Sequence, residues 1–260
     1  MIQKQNHFYG PKVHLYNHPY YNGLLAQLCS PKTFQPQINH FVEVLYKNLM
    51  IQAMSEQFSL TTQTLETRMN KDFPKSPLIT NVLDSSTKVV SVNIARAGTF
   101  PSHVCFETLH DVILPENLRQ DHIFAARSTN GKNEVIGSEI GATKIGGDQN
   151  NCVVIFPDPM GATGNTLLAA LDYYKNKVSG RAKKYLALHL IVTPEYLKKV
   201  TTHHPDAEIY AYRLDRGLSS DAVLKETPGA LWEQEKGLSE KGYIVPGGGG
   251  FGEIMNNSFV

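Results

Sequence analysis

Residues 152–174 read CVVIFPDPMGATGNTLLAALDYY, and this stretch decides the fold. Its first five residues, Cys152-Val153-Val154-Ile155-Phe156, form an unbroken apolar run. A short, β-rich run without polar alternation predicts a strand covered on both faces, as in parallel sheets. The run ends at Asp158, held between Pro157 and Pro159. Gly161, Ala162, Thr163, Gly164, Asn165 and Thr166 then make a loop of small residues. Leu167, Leu171 and Tyr174 recur at helical spacing after it. The prediction is strand, loop, helix N-terminus.

The loop has a chemistry of its own. Small residues let backbone N–H groups approach a ligand closely, and a helix start carries unpaired N–H groups and partial positive charge. Thr163 and Thr166 add hydroxyl donors. Together these make a cradle for a phosphate. Asp158 would repel that phosphate, so it is expected to face another part of the ligand. A sugar diol suits it, because carboxylate oxygens accept two hydroxyl hydrogen bonds. Cradle and carboxylate together describe a ribose-phosphate site. An ordinary glycine-containing strand-to-helix turn is the competing reading.

Residues 158–166, DPMGATGNT, resemble the phosphoribosyl-pyrophosphate (PRPP) motif of type I phosphoribosyltransferases. The Asp-Pro-Met opening is similar to the form DPMLATGGS of uracil phosphoribosyltransferases. The resemblance implies an α/β fold, a mostly parallel sheet flanked by helices, with a hood from the C-terminal and N-terminal segments and a flexible hairpin. It implies PRPP contacts at Asp158, Met160, Ala162, Thr163, Gly164, Asn165 and Thr166.

Two further stretches carry the resemblance. Residues 88–98, KVVSVNIARAG, read as a strand over Val89 to Ile94 followed by a tight loop. The family has PILRAG here, in a loop that binds pyrophosphate, so Arg96, Ala97 and Gly98 are implied PRPP ligands. A guanidinium suits that task through forked hydrogen bonds. Asn93 stands where the family has proline, and Thr99-Phe100-Pro101 depart as well. Ile123 to Arg127 reads as a strand leading into a hairpin, with polar, Gly-containing stretches at 128–133 and 137–151. Arg127 is either a pyrophosphate ligand or an exposed residue of a surface hairpin.

The C-terminal part carries the third match. Tyr243-Ile244-Val245-Pro246-Gly247 is similar to the family's Tyr-Ile-Val-Pro-Gly, whose main chain binds uracil. Tyr243, Ile244, Gly247, Gly249 and Gly250 are therefore implied uracil contacts. Gly250 replaces the family's first aspartate, Glu253 its second, and Ile254 its arginine. Asp215-Arg216-Gly217-Leu218 matches the family's Asp-x-x-Leu, but residues 219–237, around Trp232, are an insertion. Residues 238–254 are then the base-binding loop. Four consecutive glycines suit either a ligand loop or a flexible tail.

Elsewhere the chain reads more plainly. The 260 residues suit a single domain, and 41% hydrophobic against 19% charged residues excludes wholesale disorder. A net charge of +1 argues against a general nucleic-acid or membrane-surface binder. Three scattered cysteines, Cys29, Cys105 and Cys152, suit reduced thiols in the cytoplasm. No run approaches the roughly 20 apolar residues of a membrane span, and the N-terminus lacks a signal core.

Residues 1–27 show neither clean helix nor clean strand and are expected to be a dimer arm or a surface extension. A helix is predicted over 30–58 from Phe34, Ile38, Phe41, Val42, Leu45 and Leu49. The family's Leu-Arg-Asp-x-x-Thr appears before it as Leu28-Cys29-Ser30-Pro31-Lys32-Thr33, with Cys29 in place of arginine. Residues 59–88 are expected to be a short helix and a loop. His103, Cys105, Glu107, His110 and Asp111, in a helix over 102–114, match no zinc spacing, so no protein-held metal is expected. Strands are predicted over 185–193 and 207–214, with a helix from Pro194 between them and His189 as a core residue. Strands alternating with helices predict right-handed crossovers and a parallel sheet, with Arg96 and Asp158 at strand carboxyl ends, where such sheets bind ligands.

The resemblance implies transfer of the phosphoribosyl group of PRPP to uracil, giving UMP and pyrophosphate in pyrimidine salvage. Mg²⁺ is expected to arrive with PRPP, Asp158 and Arg96 to act in catalysis, and the protein to be a homodimer or higher homo-oligomer. Two alternatives stand beside this: another nucleobase, or a non-catalytic PRPP- or UMP-binding regulator.

Overall fold

The apolar runs at 89–94, 152–156 and 185–193 form the middle of one mixed sheet. The computed structural model describes residues 3–129 and 135–258, with the side chains of 126–138 outside the description. In chain order, β1 (Gln3–Lys4) and β2 (Val13–Asn17) precede α1 (Pro19–Leu28) and α2 (Gln37–Gln57). β3 (Leu60–Leu65) and β4 (Leu78–Leu83) form a separate antiparallel hairpin. β5 (Val89–Ala95) leads through α3 (Thr99–His110) to β6 (Leu118–Thr129), and β7 (Val135–Lys144) follows. β8 (Val153–Pro157) and a short β9 (Met160–Gly161) precede α4 (Asn165–Lys177). β10 (Lys184–Val192), α5 (Pro194–His203) and β11 (Ala207–Leu214) complete the alternation, and the short helices α6 (Asp221–Lys225) and α7 (Phe251–Ile254) lie in the C-terminal part.

The strand order is β1-β2-β11-β10-β8-β5-β6-β7, with β9 beside β10. From β2 to β6 every neighbouring pair is parallel, and antiparallel pairs close both ends. Alternation within each strand divides the core. Val153 and Ile155 pack with α1, α2 and α3 on one face; Val154 and Phe156 pack with α4 and α5 on the other. Burial on both faces is what a continuous apolar strand requires.

The order also fixes a crevice. β5 sends the chain through α3 to β6 on one side, whereas β8 returns to the other side of β5 and growth continues to β10 and β11. The direction of winding reverses between β5 and β8. At such a reversal the loops leave in opposite directions and open a crevice at the carboxyl ends of the strands.

Three predicted regions differ. Val13–Asn17 is a strand of the main sheet, parallel to β11, and α1 follows it, so the N-terminal residues are structured beyond an irregular extension. His14 and Tyr16 hid the strand in the sequence because they are polar; both are buried and satisfied, His14 by Glu208 at 2.8 Å and Tyr16 by Glu56 at 2.7 Å. Residues 60–83 form the β3–β4 hairpin, with one 3₁₀ turn at Arg68–Lys71 in place of a helix and loop. Its Thr-rich composition is β-branched and favours extended backbone. α2 starts at Gln37, after Pro36, and leaves Phe34 outside at 68% exposure.

Candidate active site at the strand carboxyl ends

Asp158 leaves the end of β8 with its main chain tied on both sides. Its N–H donates to the Leu188 carbonyl at 3.0 Å. Its carbonyl accepts from His189 Nδ1 at 2.5 Å, and His189 Nε2 pairs with the Tyr196 hydroxyl. Burial pushes the His189 imidazole down to about 4, so the ring is neutral: Nδ1 carries the proton and Nε2 accepts from Tyr196. His189 is thus the satisfied core residue predicted from sequence. The Asp158 carboxyl remains for a ligand. Desolvation pushes it up to about 6, partly opposed by a hydrogen bond from the Met160 N–H.

The small-residue loop follows through Met160 and β9. Gly164 has φ +80°, a left-handed conformation that favours glycine, and α4 starts at the next residue, Asn165. The N-terminus of α4 therefore follows directly on the small-residue loop beyond the carboxyl end of β8. The loop is held from behind by α5. Thr193 donates from Oγ1 to the Ala162 carbonyl at 2.7 Å and accepts from Tyr196 N–H at 3.0 Å as the N-cap of α5. Lys199 pairs with the Asn165 side chain. Thr163 is half-buried, its Oγ1 accepting weakly from Asn165 N–H at 3.4 Å.

The β5 loop lies across the crevice. The Ala95–Arg96 peptide is cis. A methyl at Gly98 would lie 2.7 Å from the Ile94 carbonyl oxygen and 2.9 Å from that of Pro157, so only glycine lets this loop sit against the end of β8. Arg96 Nη1 donates to the Ser258 carbonyl and hydroxyl, both at 3.1 Å. Ala97 is half-buried beside it. Arg127 sits on β6 opposite Ser138, and its side chain lies outside the described residues. Residues 130–134, which fall in the expected hairpin, are outside them too.

The C-terminal segment closes the third side. A methyl at Gly242 would lie 3.5 Å from Thr163 Cγ2, and one at Gly252 would lie 3.6 Å from Arg96 Nε and 3.8 Å from Ala97 Cβ. Residues 242–252 therefore lie against both the small-residue loop and the β5 loop. Ile244 packs on the core, Tyr243 is 44% exposed, and Gly247 and Gly249 adopt φ +61° and φ +83°. Gly250 N-caps α7, and the Glu253 carboxylate folds back onto the space a side chain at 250 would occupy. A C-terminal and N-terminal hood results. Gly248 sits on Cys29 at the end of α1, and Gln35 Nε2 donates to the Met255 carbonyl at 2.7 Å.

Sequence reasoning missed the supports of this loop. Arg213 and Asp215, at the end of β11, form a bidentate pair at 2.7 and 2.8 Å and both bond Gly247. Their i, i+2 spacing beyond a buried strand was the available signal. Residues 219–237 dock on α5 and the N-terminal segment. Trp232 Nε1 donates to the Pro194 carbonyl at 2.9 Å, and Glu195 accepts from Gly237 N–H at 2.9 Å. Buried Glu235 accepts from Arg216 at 2.7 Å, Gly229 N–H at 2.9 Å and the Tyr9 hydroxyl. A cleft of about 570 Å³ lies at the opposite ends of β10 and β11. Of its cations, Lys12 pairs with Glu208 and Lys175 with Asp206, while Lys184 donates to the Gln57 carbonyl and side-chain oxygen.

Comparison with known proteins agrees with this geometry. The family model described as uracil phosphoribosyltransferase matches residues 15–231. A uracil phosphoribosyltransferase of Campylobacter jejuni (strain 81-176) is 25% identical over 254 residues, covering 95% of this chain and 98% of that protein. Another, of Acinetobacter baylyi, is 36% identical over 115 residues, 44% of each chain. The solved structure of the AQ2163 protein from Aquifex aeolicus has the same fold, with a TM-score of 0.67, 22% identity, and coverage of 94% of this chain and 97% of that one. The chain belongs to the uracil phosphoribosyltransferase family, and so to the enzymes that transfer a phosphoribosyl group on the type I fold.

Proposed function

We propose that the enzyme transfers the phosphoribosyl group of PRPP to uracil, giving UMP and pyrophosphate. The observation that carries this reading is the meeting of three loops at the β5–β8 reversal: a carboxylate beside a helix N-terminus, an arginine-bearing loop, and a glycine-rich loop that touches both. Asp158 accepts the ribose hydroxyls. The peptide groups and side chains of 160–166 hold the 5′-phosphate, with α4 behind them. Arg96, with Ala97, Gly98 and Arg127, binds the pyrophosphate. Tyr243, Ile244, Gly247, Gly249 and Gly250 frame the uracil. The N1–C1 bond forms as the C1–oxygen bond to pyrophosphate breaks, through a state with positive charge on the ribose, and N1 gives up its proton to water. Positioning and electrostatics suffice for such a transfer, without a covalent nucleophile.

Mg²⁺ fits this donor set as an ion carried by the substrate. Among the described residues no cluster of three or more His, Cys, Asp or Glu side chains could hold a metal. Magnesium characteristically keeps waters and substrate phosphates with one or two carboxylates. When bound it would neutralise charge on the diphosphate, beside Asp158 and Arg96.

A second base specificity has one observation in its favour: Glu253 fills the space beside Gly250, where the family motif has aspartate. The deciding experiment measures product formation from PRPP and Mg²⁺ with each common nucleobase. UMP from uracil alone is the expected result. Product from another base, with none from uracil, would replace the specificity and keep the mechanism.

A homodimer or higher homo-oligomer is part of the same proposal. The β3–β4 hairpin forms a sheet of its own with Leu60, Phe73, Leu78 and Ile79 exposed, an apolar surface fit for a second copy. Sedimentation should give twice the chain mass or more, and a monomer at working concentration would refute it. Three unpaired thiols suit a reducing, cytoplasmic setting. No described helix is long and apolar enough to cross a membrane.

A further inference from the structure

Gly247 opens the run of four glycines in the base loop, and its peptide is held from both ends. Asp215 Oδ2 accepts from Gly247 N–H at 2.7 Å, and Arg213 Nη2 donates to the Gly247 carbonyl at 2.9 Å. The two clamping side chains are paired with each other, Arg213 Nε with Asp215 Oδ1 at 2.7 Å and Nη2 with Oδ2 at 2.8 Å. The remaining arm, Nη1, reaches Cys29 Sγ at 3.6 Å, and a methyl at Gly248 would lie 2.8 Å from that sulfur. One guanidinium therefore ties the end of β11 and the end of α1 to the start of the glycine run. Asp215 is 3% exposed. Burial works against the charge on Arg213, but Asp215 outweighs it and holds the guanidinium above its ordinary pKa.

This clamp has a consequence for recognition. A pyrimidine presents donors and acceptors along one edge, and reading it with main chain needs peptide groups that are fixed yet unspent. Both polar groups of Gly247 are engaged. Among the described residues, the peptide groups of Gly248 and Gly249 make no hydrogen bond, and they follow immediately. Four glycines in a row are the least restrained backbone available. Without an anchor at one end they would have to be ordered at each binding event, against their conformational entropy.

We propose that Arg213 and Asp215 are positioning residues for nucleobase recognition. They fix Gly247 so that the peptide groups of Gly248 and Gly249 meet the edge of the base. The inference rests on the uracil phosphoribosyltransferase reading of this site. It also accounts for Cys29. The guanidinium delivered from β11 occupies the space that an arginine at residue 29 would enter, so a small side chain is required there.

The test uses the full chain. Kinetics of Arg213→Ser, with uracil and PRPP varied in turn, are paired with hydrogen–deuterium exchange over residues 243–252. The KM for uracil should rise about tenfold or more, and that for PRPP should change less than about twofold. Exchange at 247–250 should accelerate. The double variant Cys29→Arg/Arg213→Ser delivers a guanidinium to Asp215 from α1, and should recover both the uracil KM and the slow exchange. If Arg213→Ser does not fold, Arg213→Lys keeps the charge but loses the fork and should raise the uracil KM alone. Unchanged exchange, or equal rises in both KM values, would overturn the proposal. A wild-type protein that folds but makes no UMP would sink the uracil reading only, and the exchange comparison would still decide the clamp.

Discussion

Asp158 and His189 show how a half-buried carboxyl and a buried imidazole side by side can pull stability in opposite directions. Asp158 rises from its ordinary 3.8 to about 6, so between these values the folded chain keeps a proton that the unfolded chain has released. Its contribution to stability falls as pH rises through that window. His189 drops from 6.5 to about 4, so there the unfolded chain takes a proton that the folded chain refuses. Its contribution rises with pH across the same range. The two slopes offset each other in the native protein. Asp158→Asn removes the falling one. The variant should gain stability more steeply than wild type from pH 4 to 6.5 and be more stable at pH 7 by about 1–3 kcal/mol. Urea denaturation at several pH values measures both. The same variant should lose roughly 100-fold in kcat/KM for PRPP. That combination identifies a group kept for chemistry at the expense of stability. Gly98 is the opposite case, a residue kept for what it lacks. Gly98→Ala places a methyl against two backbone carbonyls at 2.7 and 2.9 Å. It should cost about 1–3 kcal/mol and lower the midpoint of thermal unfolding.

At the scale of elements, the small-residue loop at 161–166 depends on a helix that is not its own. α4 supplies the N-terminus, but the N-cap of α5, Thr193, grips the loop through the Ala162 carbonyl at 2.7 Å. Thr193→Val keeps the shape and removes the hydroxyl. It should cost about 1 kcal/mol as a lost cap, and should raise the KM for PRPP while leaving that for the base unchanged. An equal effect on both substrates would show that Thr193 serves the fold alone. β5 and β8 matter in a different way. The reversal of winding between them brings the loop after β5 against the end of β8, where a methyl at Gly98 would lie 2.9 Å from the Pro157 carbonyl oxygen.

Over the whole molecule, chain ends and insertion meet around the site. Residues 219–237 are anchored by Glu235, which has no exposed side-chain surface and pairs with Arg216 at 2.7 Å. Its other partners are Tyr9, far away in sequence, and Gly229 N–H. Residues 219–237 thereby join the N-terminal segment to α5. Glu235→Ala leaves the Arg216 charge without its carboxylate and should destabilise the protein by about 3 kcal/mol. Limited proteolysis should then cut first within 219–237, while wild type resists there. Cleavage elsewhere with 219–237 intact would assign the anchoring to Trp232 and Glu195 instead.

The sequence by itself determined the parallel core, because buried strands need continuous apolar runs and helices need a 3.6-residue period. It determined the strand–loop–helix around Asp158 as well, since the constraints there are local: a small-residue turn, a left-handed Gly164 and a helix start. Val89–Ala95, Lys184–Val192 and Ala207–Leu214 were legible on the same grounds. What failed to show was whatever is stabilised at long range. β2 is polar in sequence and buried in the fold, because its partners Glu208 and Glu56 come from elements 194 and 40 residues away. The β3–β4 hairpin draws on pairing between strands, which no single segment encodes. The clamp of Arg213 and Asp215 on Gly247 spans more than thirty residues of chain, and the contact of Glu253 with Gly250 depends on the turn of α7. Local chemistry singled out the small-residue loop after Asp158. Only tertiary structure brought the C-terminal glycine run to it, because a glycine run has no preferred conformation until the rest of the molecule holds it.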